Sequence, residues 1–256
     1  MKKALPAALG VLVLLLASAC GGPKLTKTEQ KISKEIASAI SKPDKALLSK
    51  KDAKCVSDKF VGAVGAKKLK SSKVVGTDNT YNANGVNVDK TRSNAFAKAL
   101  TDCIDEKKVL KAYDKTVTAA FTSSTQGVLE SKDVDCFATK FVKTAGVKRL
   151  LSAQIITDTG EFNTAGADLD KATSTNYADA FLGCVDYQKL QAEQVAKSDK
   201  TIDEAKLEAC FRENMPTKDI KALIVANQTQ SADATTLNAD SDKKAKACAK
   251  EATKKK

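Results

Sequence analysis

The stretch CVSDKFVGAVGAKKL at residues 55–69 decides the fold, because CFATKFVKTAGVKRL at residues 136–150 repeats almost the same pattern. Residues 55–105 align without a gap to residues 136–186, and 17 of the 51 aligned positions are identical. A shorter third copy begins at Cys210 and closes near Cys248. The chain therefore contains an internal duplication followed by a reduced copy, as expected of a repeat architecture.

Each copy carries apolar residues at helical spacing, first after its opening cysteine and again before its closing cysteine. Gly65 or Gly146 follows the opening pattern and fits a left-handed position just after a helix end. The closing pattern begins after Asp89 or Asp170, which we expect to cap a helix. A serine or an aspartate in SKKDAKC at 49–55 and in SKDVDC at 131–136 is expected to cap the opening helix. A third helical pattern follows each full copy, and residues 32–40 carry its equivalent ahead of the first copy.

These patterns predict an all-α fold of tandem helical repeats, with three modules of which the third is degenerate. Each module is expected to consist of two helices joined by a disulfide bond, together with a connecting helix. The predicted segments are a signal peptide at 1–19, a lipid-anchored N-terminus with a short helix at 20–45, and modules at 46–122, 123–198 and 199–256, the last with a basic tail.

The cysteines after residue 20 number six, which in an exported chain indicates disulfide bonds. The simplest pairing lies within each copy: Cys55–Cys103, Cys136–Cys184 and Cys210–Cys248. The alternative joins each closing cysteine to the next opening one, as Cys103–Cys136 and Cys184–Cys210. Because alanine is abundant and aromatic residues are scarce, each apolar contact buries little area, and the chain-entropy estimate of about 4 kcal/mol for each closed loop would add needed stability.

The N-terminus reads MKKALPAALGVLVLLLASAC, with two lysines, a short apolar run and small residues before Cys20. This order resembles the lipobox signal of bacterial lipoproteins, although Ala17 occupies the position where leucine is usual. The resemblance implies that Cys20 is lipidated and becomes the mature N-terminus, on the outer face of the bacterial cell membrane. The alternative is an ordinary secretory signal.

The formal net charge is +12, or +10 without Lys2 and Lys3, and almost all of the basic residues are lysine. Lysine is a hydrated point charge that does not offer the bidentate phosphate recognition of arginine. We therefore expect the membrane as one partner, through Cys20, and an envelope protein or an anionic polymer as another. An exported chain is not expected to meet nucleic acid.

The sequence has no histidine and no recognisable nucleophile, nucleotide-binding or metalloprotease motif. We expect no enzymatic activity, no cofactor and no metal site, and we interpret the repeated acidic residues Asp105 and Asp186 as helix caps. Tyr81 and Phe162 occupy equivalent positions in the polar loops at 76–88 and 157–169. They are candidate contact residues, or alternatively aromatic rings folded back over the helix pair.

These expectations favour a non-enzymatic, exported cell-envelope lipoprotein that binds or displays a partner. An inhibitor of a secreted hydrolase is the alternative, and a carrier of a small apolar ligand is a weaker one. The ASAC sequence before residue 21 and the repeated CxxxxFVxxxG pattern also resemble the cysteine-containing helical repeat lipoproteins of Gram-positive, actinobacterial type. That resemblance implies architecture and location, and no activity.

Overall fold

The computed structural model describes residues 23–41, 48–82, 90–163 and 169–253. The leader, Cys20 and Asp89 lie outside these ranges, so the lipid anchor, the signal peptide and the Asp89 cap stay predictions. The described residues form eleven α-helices: α1 Lys27–Ile40, α2 Lys50–Val64, α3 Ala66–Ser71, α4 Lys90–Cys103, α5 Glu106–Thr125, α6 Ser131–Ser152, α7 Lys171–Leu182, α8 Tyr187–Ser198, α9 Glu204–Asn214, α10 Thr217–Gln228 and α11 Ala234–Glu251. Extended pairing within the described ranges consists of three isolated bridges, so the all-α prediction is confirmed.

The chain divides into two compact units, Met1–Asn87 and Val88–Lys256. This division falls inside the segment 46–122 that the sequence predicts to be one module. The bounds of the three modules therefore stay predictions.

In the first unit, α1 packs along α2, and the short α3 continues the chain from the end of α2. Thr26 and Glu29 form a capping box at the start of α1, and the Ser49 hydroxyl accepts the Asp52 backbone N–H at the start of α2. The buried apolar side chains of this unit include Ile32, Ile36, Val56, Phe60, Val61 and Leu69. These are the positions at which the sequence predicts helical faces.

In the second unit, α6 lies at the centre of the first group of helices, because α4, α5 and α7 all pack against it. The second group contains α8 to α11, in which α8 and α11 pack against α9, and α10 contacts α7 and α11. One arrangement recurs in both units: a connecting helix packs on the opening helix that follows it, as α1 on α2, α5 on α6 and α8 on α9.

An aromatic cluster fills the core around α6. Phe137 is fully buried, and its ring centroid lies 4.4 Å from that of Phe121 and 5.0 Å from that of Tyr177. Phe141 and Phe181 complete the cluster at centroid distances of 5.5 Å and 6.1 Å from Phe137. Aromatic residues are scarce in this sequence, and five of them are concentrated in this one core.

The two glycines that follow the opening helices adopt positive φ but not the predicted left-handed conformation. Gly65 has φ 82° and ψ 146°, and Gly146 has φ 69° and ψ 164°. Helical structure resumes at the next residue, so each glycine bends the chain between two helical segments, and Gly146 lies inside α6. This combination of angles is essentially restricted to glycine.

The repeated acidic residues that the structure describes lie at helix starts and cap them. Asp105 accepts the Lys107 backbone N–H at 2.8 Å, and Asp170 accepts that of Thr173 at 2.8 Å. Asp186 accepts the backbone N–H of Lys189 at 3.2 Å. The expectation that a serine or an aspartate caps the opening helix is met by Ser49 in α2 but not in α6, which begins after Glu130 without a side-chain cap.

Disulfide bonds join α6 to the end of α7 and α9 to α11. Cys136 is bonded to Cys184 and Cys210 to Cys248, with Cα–Cα distances of 5.7 Å and 5.5 Å. These are pairings within single copies, and they exclude the alternative in which Cys184 joins Cys210. Cys55 and Cys103 are each disulfide-bonded as well.

Candidate functional site

The segments after α3 and α6, where the sequence predicts polar loops, begin as small hairpins with matching hydrogen bonds. Residues 75 and 81 form an antiparallel bridge, as do residues 156 and 162. The backbone N–H of Asn82 donates to the Val74 carbonyl at 3.0 Å, and that of Asn163 donates to the Ile155 carbonyl at 3.0 Å. The described part of each loop is therefore an ordered turn held to the helix before it. Residues 83–88 of the first loop and 164–168 of the second lie outside the described residues.

The connecting helix in each unit also holds the tip of its hairpin. Lys31 of α1 donates from Nζ to the Asp78 carbonyl at 3.3 Å, and the Thr116 hydroxyl of α5 donates to the Gly160 carbonyl at 3.2 Å. In the first hairpin, the Asp78 carboxylate accepts the hydroxyl and the backbone N–H of Thr80. These two bonds hold the pKa of Asp78 below its usual value.

The two candidate contact residues are both half-buried. The Phe162 ring meets the Phe121 ring of α5 edge-on, with a centroid distance of 6.4 Å, so this side chain folds back over the helices. Tyr81 occupies the equivalent position in its own hairpin, opposite Val75. The arrangement of Phe162 is the one that the sequence left open as the alternative to a displayed contact.

Two of the three tyrosines of the second unit, Tyr113 and Tyr177, lie in its core. Desolvation raises the pKa of Tyr177 to about 12, and it raises that of Tyr113 further, with the charge of Asp158 adding to the effect. Both phenols stay protonated at neutral pH. They act as core side chains.

Asp186 makes polar contacts with both α8 and α9. It caps α8 and accepts a hydrogen bond from the Arg212 guanidinium, which also pairs with Glu208. Burial opposes ionisation of Asp186, but the Arg212 and Lys189 bonds outweigh it and lower the pKa of this carboxyl. The site is an ion-paired helix start between α8 and α9.

The second group of helices in this unit contains a cavity of about 210 Å³ between α10 and α11. Its apolar lining includes Met215, Ile220, Leu223 and Leu237. Lys244 lies at its edge, with Nζ 2.8 Å from Asp240 and 3.5 Å from Asp219. This cavity could not be predicted from the sequence, because it forms between two helices whose separation no local pattern encodes.

Comparisons of the chain with protein families, with curated proteins and with solved structures found no significant match. Within the described ranges, no helix is both long and apolar enough to cross a membrane. The same residues contain no group of three or more acidic or cysteine side chains arranged to hold a metal ion.

Proposed function

We propose that this chain is an exported, lipid-anchored protein of the bacterial cell envelope, and that its disulfide-bonded helical repeats bind or display a partner without catalysing a reaction. The observation that carries the proposal is the disulfide bonding of all six cysteines after Cys20. Disulfide bonds persist in oxidising compartments outside the cytosol. This agrees with the secretion signal and the lipobox pattern of the leader.

The repeat architecture is supported by matching structure as well as by matching sequence. The two hairpins have equivalent hydrogen bonds at aligned positions of the two copies, and the two glycine bends are aligned in the same way. The Cys136–Cys184 bond spans 48 residues, the spacing that also separates Cys55 from Cys103.

A scaffold role is supported by what the repeated acidic residues do. Asp105, Asp170 and Asp186 would be the natural candidates for acid–base chemistry in a chain without histidine. Each one lies at the start of a helix and caps it, because its carboxylate accepts a hydrogen bond from a backbone N–H. This accounts for their repetition on structural grounds.

Metabolic labelling tests the anchor. The full chain, expressed with its leader in a bacterial host, is expected to incorporate an alkyne-bearing palmitate and to appear in the membrane fraction. Cys20→Ser should abolish the label, whereas Cys55→Ser, the control, should retain it. A wild-type chain that is exported but carries no label would contradict the anchor.

The cavity between α10 and α11 favours a second candidate function, the carriage of a small apolar ligand. Its apolar lining and the ion-paired Lys244 beside it suit a small apolar molecule with one polar group. Leu237→Trp should fill the cavity, whereas Thr235→Trp places the same ring on an exposed position of the same helix. Binding of a fluorescent apolar probe that is lost in the first variant alone would support this function, and equal binding by both would exclude the cavity as its site.

A further inference from the structure

The net positive charge is concentrated in the first unit. From Cys20 to Asn87 the sequence has 14 lysines and 6 acidic side chains, which gives a net charge of +8. From Val88 to Lys256, 27 basic side chains face 25 acidic ones, which gives only +2 in a much longer segment. The unit that directly follows the proposed anchor therefore carries nearly all of the excess charge.

The first described residues of this unit pack against the C-terminal end of α2. A Cβ atom built on Gly62 would lie 2.7 Å from Pro23 and 3.4 Å from Leu25, so residues 23–25 pack directly over Gly62. The Glu29 carboxyl near the start of α1 accepts hydrogen bonds from Thr26 and from the Ala66 backbone, and they lower its pKa. The starts of α1 and α3 thus lie side by side at the point where the chain enters.

Four exposed lysines, Lys24, Lys27, Lys67 and Lys68, belong to these two helix starts. We name them the anchor-side lysine patch. Pro23 is three residues from Cys20, and three extended residues span about 10 Å at most. The covalent chain therefore keeps the proposed lipid close to this patch.

We propose that the anchor-side lysine patch contacts the anionic headgroups of the membrane that holds the Cys20 lipid. This inference rests on the proposed function, because the lipid brings the patch to the membrane surface. Electrostatic attraction to anionic lipids acts within about one Debye length, roughly 8 Å at physiological salt, and each lysine near the surface contributes to it. Lysine suits this role because attraction to a fluid surface requires charge rather than bidentate geometry.

The Cys20 lipid and the anchor-side lysine patch have complementary effects on the attachment of the protein to the membrane. The lipid supplies hydrophobic attachment, and a basic surface beside it adds electrostatic attraction to anionic headgroups. It also orients the first unit, because the patch occupies one end of that unit. The second unit carries little net charge, so we expect its electrostatic attraction to the membrane to be much weaker.

Vesicle sedimentation tests the inference without requiring lipidation. The mature chain with Cys20→Ser is mixed with phosphatidylcholine vesicles, with and without about 30 mol% phosphatidylglycerol, at low and high salt. We expect binding to the anionic vesicles only, and weaker binding at high salt. Changing the four patch lysines to glutamine should weaken binding at least about tenfold.

The matched control changes the same amount of charge in the second unit. Lys107, Lys108, Lys111 and Lys115 are exposed on one face of α5, and their change to glutamine should alter binding by less than about threefold. Arginine at the four patch positions should preserve binding. Circular dichroism and non-reducing gel mobility verify that every variant is folded and fully oxidised.

Equal losses in the patch variant and the α5 variant would overturn the inference, since net charge alone would then explain binding. Absence of binding to anionic vesicles would overturn it too, as would preferential binding to a dissolved poly(glycerol phosphate) over vesicles. These outcomes are independent of palmitate labelling. A labelled chain whose patch does not bind leaves the proposed anchor intact, and an unlabelled wild-type chain rejects the anchor itself.

Discussion

Ser33 on α1 donates a hydrogen bond of 2.6 Å to the carboxylate of Asp58 on α2. At the aligned positions of the following copy the two groups are exchanged, because Thr139 on α6 donates to Asp114 on α5 at 3.2 Å. In these two helix pairs, α1 with α2 and α5 with α6, the connecting helix is therefore joined to its opening helix by one hydroxyl and one carboxylate, in opposite order. Asp58 also pairs with Lys54 at 2.6 Å.

Because the hydroxyl and the carboxylate change places between the two copies, we predict that they can also be exchanged in the Ser33–Asp58 pair. Ser33→Asp alone would place two carboxylates together at a buried position and should lower the free energy of unfolding by about 1–3 kcal/mol. Combining it with Asp58→Thr recreates the arrangement of Asp114 and Thr139 and should recover most of that loss. Urea unfolding of the wild type, both single variants and the double variant measures the coupling. A double variant as unstable as the sum of the single variants would contradict the prediction.

The helices and their capping residues could be predicted because they depend on local spacing: Ser49, Asp105, Asp170 and Asp186 each precede a helical pattern. The Ser33–Asp58 pair could not be predicted in that way, because α1 and α2 meet only after folding. A signal was nonetheless present, since the alignment of the copies replaces serine by aspartate at one position and aspartate by threonine at the other. The sequence predicts left-handed glycines at the helix ends, and Gly65 and Gly146 do have positive φ, but their ψ angles of 146° and 164° differ from that prediction because they depend on how the following helical segment packs.

The disulfide bonds are expected to dominate the stability of their modules. Replacing both Cys136 and Cys184 with serine opens a 48-residue span and should cost about 4 kcal/mol on the chain-entropy estimate. The same change at Cys210 and Cys248 opens a 38-residue span and should cost nearly as much. Urea unfolding of each double variant, compared with the oxidised wild type, measures these costs. A loss below about 1 kcal/mol in either variant would show that helix packing alone stabilises that module.

Gly146 should resist substitution even though its surroundings are open. No atom lies within 4 Å of a Cβ added there, but the backbone has φ 69°. Gly146→Ala should therefore lower the free energy of unfolding by about 1–3 kcal/mol through backbone strain alone. Lys143→Ala, an exposed change on the same helix, serves as the control and should have little effect. Equal stability of the two variants would show that the bend can relax.

Asp170 predicts a pH dependence at acid pH. The Thr173 hydroxyl and backbone N–H both donate to its carboxylate and lower its pKa below the unfolded value of about 3.9. A carboxyl whose pKa is lower in the folded state stabilises the fold above the unfolded pKa, and this contribution is lost as the pH falls through the folded value. Asp170→Asn keeps a capping oxygen but cannot titrate, so its stability should fall less than that of the wild type between about pH 4 and pH 2.

The urea midpoint as a function of pH measures this difference. Asp233 also precedes a helix, α11, but makes no side-chain cap bond. Asp233→Asn is therefore the matched control for the substitution itself, and it should change the urea midpoint less than Asp170→Asn does. If the urea midpoints of the wild type and Asp170→Asn fell in parallel as the pH is lowered, the loss of stability at acid pH would not come from this cap.

The aromatic cluster on α6 should be more sensitive to the loss of one ring than the core of the α8–α11 group. Phe137 and Phe211 are both buried, at 0% and 2% exposure, and both lie on opening helices directly after a cysteine. Phe137 contacts four aromatic rings, whereas Phe211 packs in a mainly aliphatic and sulfur-containing cluster with Leu207 and Met215, against which the single aromatic side chain of Tyr187 packs. The two phenylalanines therefore differ in the kind of neighbour that surrounds them rather than in burial.

Replacement by leucine keeps most of the apolar area at both positions. It therefore separates the contribution of buried apolar area from that of contacts between aromatic rings. Only Phe137→Leu also removes edge-to-face and stacked ring pairs, each worth about 0.5–1.5 kcal/mol. Phe137→Leu should therefore lower the free energy of unfolding by at least about 1 kcal/mol more than Phe211→Leu, measured by urea unfolding with all disulfides intact. Equal losses would mean that the rings contribute as apolar area alone, and that their concentration around α6 adds no specific stability.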